Sequence, residues 1–401
     1  MRILYVHQYF STPSGAAGTR SYEFGKRLVQ AGHDVTILCG ESSLTRVCGV
    51  KKDTAGHFDV EGMQVIQVPI SSSNQDSYLK RVLSFSKFSV VSAKFALKLD
   101  YELILTSSTP LTVGIPGLVA KVFRRKKFVF EVRDLWPELP RAMGIIRNRL
   151  VLSLLSSFEV CCYRAADACI GLSPGIVAGI RAKKAGGEVL EISNGCDLDY
   201  FKPGGSSSFP IKGVNDGDFR AVFCGAHGRA NGLNAILDAA SELKKCQRID
   251  VKLIFIGDGQ LKKSLIARAK TEKLENCIFL DPMPKEELAQ LMSCADLGLM
   301  VLADVEAFHY GTSPNKFFDY IASGLPVLCN YPGWVSDLIA QWDCGVSLPP
   351  GDRHAFAEAL VQMADNRNRT RLLGKNARKL AESQFDRDVL FQRLRDLLMR
   401  L

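Results

Sequence analysis

Between positions 310 and 326 the chain sets Thr312, Ser313, Pro314, Asn315, Lys316 and Asp319 ahead of Gly324 and Pro326. Hydroxyl residues followed by proline read as a helix start, and glycine as its stop. The spacing predicts a helix capped by Thr312 or Ser313, ending at Gly324, with a buried strand from Pro326. Free amides at such a start, with the ammonium of Lys316 beside them, suit a diphosphate. Asp319 stands about one turn further in, where a carboxylate can accept both hydroxyls of a ribose. The plainer reading makes Asp319 an exposed helical acid and Lys316 its solvated neighbour.

A second group, Glu131, Arg133 and Asp134, closes the apolar run at 127–134 and leads into Leu135, Trp136, Pro137 and Glu138. A carboxylate at a strand end can accept the proton that an alcohol loses on becoming a nucleophile. Asp134 is the candidate base or acceptor-side residue, with Arg133 and Glu131 as partners. The alternative is an Arg133–Asp134 pair or a helix cap that only shapes the loop.

Near the N-terminus, Gly15, Ala16 and Gly18 form a small-residue loop through which a phosphate can meet the backbone. A dinucleotide fingerprint requires G-x-G-x-x-G directly after the first strand, and here His7 to Ser14 intervene. Glu41 after the second strand does not repair that spacing, so a nicotinamide enzyme is disfavoured. The D-x-D pairs at Asp197/Asp199, Asp216/Asp218 and Asp386/Asp388 fall in a turn, a linker and a helix start. None follows an apolar strand and no His/Cys ligand spacing occurs, so neither a catalytic metal nor another cofactor is expected.

The elements that must carry these groups alternate. The opening reads strand, glycine loop, helix over 19–31, strand, and further apolar runs lie at 64–70, 101–108, 127–134, 168–174 and 189–195, separated by helix-length segments. After a loop from Pro203 to Gly217 the pattern restarts, with runs at 219–226, 251–259, 276–282, 296–304 and 325–330. Strands alternating with helices imply parallel, doubly wound sheets. The expected architecture is α/β with two Rossmann-like domains facing across a cleft, over residues 1–203 and 204–383. An amphipathic helix over 384–401 comes last, its packing partner not evident from sequence. Ligands of such sheets bind beyond the carboxyl ends of the strands.

A chain of 401 residues suits two cores. The balance of 51 Lys+Arg against 42 Asp+Glu, net +9, favours anionic partners without the density of a nucleic-acid binder. Twelve cysteines without a C-x-x-C pair read as reduced thiols of a cytoplasmic protein. No stretch reads as a signal peptide or a membrane span. Lys80, Lys87, Lys94 and Lys98 share one side of a helical segment, with Phe85, Phe88, Phe95 and Leu99 on an adjacent side and no acid from Leu79 to Leu99. That reads either as an interfacial segment or as a helix whose Phe stripe enters the core.

The segments 14–20, 106–114, 131–138, 194–201, 224–233, 256–259 and 313–328, in this order, resemble the retaining glycosyltransferases of family 4. Within it they resemble the group of bacterial N-acetyl-L-fucosamine transferases of surface-polysaccharide assembly. The resemblance implies the GT-B arrangement, a UDP-sugar donor (HexNAc or deoxy-HexNAc) and a polyprenyl-diphosphate-linked saccharide acceptor met at the cytoplasmic face of the inner membrane. It places Asp319 on the nucleotide ribose and Gly15 to Gly18 near the donor diphosphate. His227, Arg229, Asn231, Gly257 and Asp258 line the nucleotide side. Gly311 stands where many relatives carry a glutamate on the donor sugar, Asn231 where a lysine clamps the diphosphate, and Arg133 where a histidine precedes the aspartate. Two rivals share the architecture: a nucleotide-sugar 2-epimerase and a non-catalytic sugar-nucleotide-binding subunit.

Overall fold

The computed structural model of the chain describes residues 1–15, 18–41, 57–71, 76–184, 186–204 and 209–401. It divides into two compact units. The first comprises residues 1–194, 310–313 and 388–401, and the second 195–309 and 314–387.

The first unit is built on eight strands: β1 (Arg2–Val6), β2 (Asp34–Cys39), β3 (His57–Val60), β4 (Met63–Gln67), β5 (Leu103–Ser107), β6 (Lys127–Val132), β7 (Ala168–Gly171) and β8 (Glu188–Glu191). Their order is β3-β4-β2-β1-β5-β6-β7-β8. Every pairing is parallel except β3 with β4. The short antiparallel β3 is the element that apolar runs did not announce, because His57 and Asp59 interrupt its pattern. The central strands β1, β5 and β6 are buried along almost their whole length, as parallel strands covered on both faces must be.

The C-terminal helix Arg387–Arg400 finds its partner here. Leu390, Leu394, Leu397 and Leu398 join the core of the first unit beside Ile3, Leu28 and Ile180. In the helix Tyr78–Lys98, Phe88 is fully buried and Phe85 nearly so, with Phe95 and Leu99 packed against the same core. The Phe stripe therefore faces inward. The apolar residues this helix shows to solvent are Leu79, Val82, Leu83, Val90 and Leu97.

The second unit carries six parallel strands in the order β11-β10-β9-β12-β13-β14. These are β9 (Phe219–Cys224), β10 (Val251–Ile256), β11 (Cys277–Leu280), β12 (Leu297–Met300), β13 (Val327–Cys329) and β14 (Gly345–Ser347). Its own core is led by Phe219, Phe223, Leu253, Phe255 and Leu299. The loops after β9 and β10 touch backbone to backbone: Gly257 has φ +141°, and a Cβ there would lie 2.0 Å from the Gly225 carbonyl oxygen. Only glycine satisfies both constraints. Among the described residues, no helix is long and apolar enough to cross a membrane.

Candidate active-site residues

In the second unit the helix Asn315–Ala322 ends, as its sequence predicts, at Gly324 in the left-handed region (φ +69°). Its start differs from the expectation. The N-cap is Pro314, with no side-chain cap. The Ser313 hydroxyl instead accepts the Asn194 backbone N–H at 3.1 Å, and the Asn194 side-chain amide donates to the Ser313 carbonyl at 2.6 Å. Thr312 and Ser313 thus belong with the first unit, while Asn315, Lys316 and Asp319 stand in the second. A competing donor drew the hydroxyl away, which local sequence could not reveal.

Lys316 lies in the first turn of this helix and reaches the carboxyl end of β9. Its ammonium donates to Asn231 Oδ1 at 2.5 Å and sits 4.3 Å from the centroid of the Phe223 ring. The stem is partly exposed but the charged end is enclosed, and loss of solvation pulls its pKa down to about 7. Asn231 is fixed in turn by donating to the Ala226 carbonyl at 2.7 Å. An enclosed ammonium held by one neutral amide has spare capacity for an anion.

Asp319 comes one turn later. Its carboxylate makes no hydrogen bond or ion pair among the described residues, and burial raises its pKa despite the charges of Lys285 and Arg387. Those two cations are committed elsewhere: both grip the buried Asp197, Arg387 through Nε at 2.5 Å. Asp197, half of one D-x-D pair, is thereby an ion-pair partner inside the second unit.

The remaining nucleotide-side candidates divide. Arg229 and Asp258 are exposed, and Asp258 accepts the Gly259 amide at 2.7 Å. The His227 ring is completely buried against Phe223, Phe255 and Phe279, with neither nitrogen hydrogen-bonded; burial lowers its pKa to about 4. Its side chain therefore faces the core, and only its backbone borders the loop, donating to the Asp258 carbonyl at 2.8 Å. Gly15 is buried and Gly18 partly exposed, whereas Ala16 lies outside the described residues.

In the first unit the carboxyl ends of β1, β5 and β6 bring a second set together. Glu131 is 1% exposed. Arg20 donates to its Oε2 at 2.9 Å and Ser107 to its Oε1 at 2.6 Å. Burial opposes its ionisation, but the charges of Arg20 and Arg133 and these donors outweigh it and hold the carboxyl below its ordinary range. Arg20 also donates to the Ile192 and Ser193 carbonyls. Glu131 thus ties three segments together from behind the surface.

Arg133 donates to His7 Nε2 at 2.9 Å, and His7 Nδ1 lies 2.8 Å from the Ser21 hydroxyl. A guanidinium only donates, so Nε2 must be the acceptor and Nδ1 carries the proton toward Ser21. Burial, then the nearby Arg133 and Arg20, push the His7 pKa well below its usual value, so the ring stays neutral. Asp134 is not in a pair with Arg133. Its Oδ2 accepts the Thr109 hydroxyl at 2.8 Å, and burial raises its pKa. His7, Arg20 and Thr109 are members that motif reading did not single out for this set; their partners lie far away along the chain.

Among the described residues, no group of three or more His, Cys, Asp or Glu side chains is arranged to hold a metal ion.

Comparison with known proteins gives this geometry its setting. Residues 15–195 match the model of the glycosyl transferase 4-like domain, and residues 206–380 that of glycosyl transferases group 1. The amylovoran biosynthesis glycosyltransferase AmsK of Erwinia amylovora is 26% identical over 42% of this chain and 42% of its own. The probable glycosyltransferase WbjE of Pseudomonas aeruginosa is 24% identical over 66% of each. The match thus spans less than two thirds of either relative's length. Among solved structures, sucrose-phosphate synthase from Thermosynechococcus elongatus superposes with a TM-score of 0.73 at 16% identity, covering 100% of this chain and 98% of that one. HepE of Anabaena, solved with UDP-glucose, gives 0.70 at 18% identity over 100% of both chains. With a 4-like half preceding a group 1 half on the GT-B fold, the chain belongs to the family 4 type of glycosyltransferases.

Proposed function

We propose that the protein transfers a sugar from a UDP-linked donor to a saccharide acceptor, the second unit holding the nucleotide and the first presenting Asp134 to the acceptor hydroxyl. The observation that carries this reading is the pair on the helix Asn315–Ala322: an enclosed ammonium with spare capacity and, one turn on, a carboxylate with no partner among the described residues. The first suits a diphosphate and the second a ribose diol. HepE, of the same fold, has been solved with UDP and with UDP-glucose.

In the proposed reaction the bond between the donor's anomeric carbon and UDP breaks. A bond from the acceptor oxygen forms with retained configuration, and the hydroxyl proton passes to Asp134. No divalent ion takes part. Lys316, the amides at Asn315 and the helix dipole meet the charge on departing UDP, assisted by exposed Arg229 and the backbone at Gly257. Thr112 and Thr109 flank the acceptor side, and Thr109 orients Asp134. Arg133 and Glu131 are positioning residues: their side chains are spent on His7, Arg20 and Ser107.

The donor is a UDP-HexNAc or deoxy-HexNAc, and the acceptor is lipid-linked, met at the cytoplasmic face of a membrane. Exposed Leu79, Leu83 and Leu97, on a helix without acids after Asp76, support that contact. Calorimetric titration with UDP tests the nucleotide assignment. Asp319→Ala is expected to bind about 10-fold or more weakly, the worth of charge-assisted hydrogen bonds. Unchanged affinity removes the ribose role.

A further inference from the structure

Beside the Thr109–Asp134 pair the first unit encloses a cavity of about 390 Å3. One wall is the helix Tyr78–Lys98 through Val82 and Phe85; Trp136, Met143, Ile146 and Leu155 complete it. Among the described residues only two of its lining side chains carry charge, Asp134 and Arg81. A space of this size with few convergent polar groups is the usual form of a small-molecule site.

Its mouth is unusual for a surface in water. Val82, Ile145 and Val151 line the cavity yet are 39%, 50% and 42% exposed. On the helix Tyr78–Lys98 and on a second helix, Arg149–Ala165, which carries Val151, the residues Leu79, Leu83, Leu150 and Leu154 are each more than 60% exposed. Apolar surface therefore runs from outside the unit to the Asp134 carboxyl. Contiguous apolar exposure of this kind marks an interaction site. The charge beside it is positive: Arg81, Lys87 and Arg149 are on these helices, and none has a carboxylate partner among the described residues.

We propose that this cavity seats the apolar chain of a saccharide acceptor linked to lipid through phosphate, the chain entering past Val82, Ile145 and Val151 with its phosphate against Arg81. The inference rests on the proposed sugar transfer in placing the acceptor's reacting hydroxyl at Asp134. The enclosed volume takes the first stretch of the lipid chain, and the exposed leucines cover its remainder. A protein segment would need hydrogen-bonding groups for its backbone, and the lining offers few.

The test uses the full chain and farnesyl phosphate below its micellar concentration, monitored by calorimetry, with UDP titrated in parallel. Wild type is expected to bind farnesyl phosphate saturably. Val151→Trp, which fills the mouth, and Ile145→Asp, which makes it polar, should each weaken binding at least about 10-fold, and Arg81→Gln several-fold. UDP affinity should stay the same in all three. Absence of farnesyl phosphate binding by wild type, or equal binding by all variants, overturns the proposal. So does concentration-dependent self-association of wild type that Ile145→Asp abolishes without any farnesyl phosphate binding, which would make the face an interface between copies. Failure of the transferase reading shows separately, as absence of UDP binding by wild type whatever the lipid phosphate does.

Discussion

The ammonium of Lys316 carries the sharpest consequence at the residue scale. Its pKa of about 7 in the unliganded protein means that near neutral pH it is only partly charged. A diphosphate placed beside it favours the charged form, so binding takes up a proton. UDP affinity should then fall as pH rises through 7 toward the ordinary lysine range. Calorimetry at pH 7.5 in buffers of different ionisation enthalpy should report uptake of a fraction of a proton, lost in Lys316→Met. A pH-independent affinity would place the diphosphate elsewhere.

Asp134 obeys the opposite sign. Burial raises its pKa, and it must be ionised to accept a proton, so turnover should fall on the acid side at a pH above the ordinary carboxylate range. Asp134→Asn should lose roughly 100-fold or more in turnover, the usual worth of a general base, while UDP binding is unaffected.

The placement of these groups at helix and strand ends was legible in residue type. Lys316 and Asp319 stand out from their spacing on one helix. What sequence could not show was who else claims a group. The His7 ring meets Arg133 across 126 positions. Glu131 is spent on Arg20, and the His227 ring is turned into an aromatic box. Such commitments are made by tertiary neighbours and leave no local periodicity.

At the scale of elements, apolar runs announce the parallel strands because strands buried on both faces must be continuously apolar. β3 is broken by His57 and Asp59, and β14 is only partly buried along its three residues, so neither shows such a run. The C-terminal helix is amphipathic by spacing alone, yet its partner emerged only from packing, with Leu394 1% exposed in the core of the first unit. Leu394→Ala should cost about 2–5 kcal/mol, as for other buried leucines, seen as a lower denaturation midpoint. A change below about 0.5 kcal/mol, typical of surface positions, would show that the helix does not stabilise that core. Ser313 gives the matching lesson for caps: its hydroxyl is where the pattern wants a cap, but the Asn194 amide takes it.

For the whole molecule, two separate hydrophobic cores predict two unfolding events. UDP at about 100 times its Kd should stabilise the unit that binds it by about 2.7 kcal/mol, raising one calorimetric transition and leaving the other near its place. Leu394→Ala should lower the other. If UDP moved only the transition that Leu394→Ala also lowers, the nucleotide would belong to the first unit.

The claim of sugar transfer through Asp134 is tested most directly by tracking label from radioactive UDP-HexNAc donors, with bacterial lipid extract as acceptor source. Wild type should move label into the organic phase as UDP is released, and Asp134→Asn should do so roughly 100-fold more slowly at unchanged UDP affinity. Conversion of the donor to an epimer without any acceptor, or equal transfer by wild type and Asp134→Asn, would contradict sugar transfer through this residue.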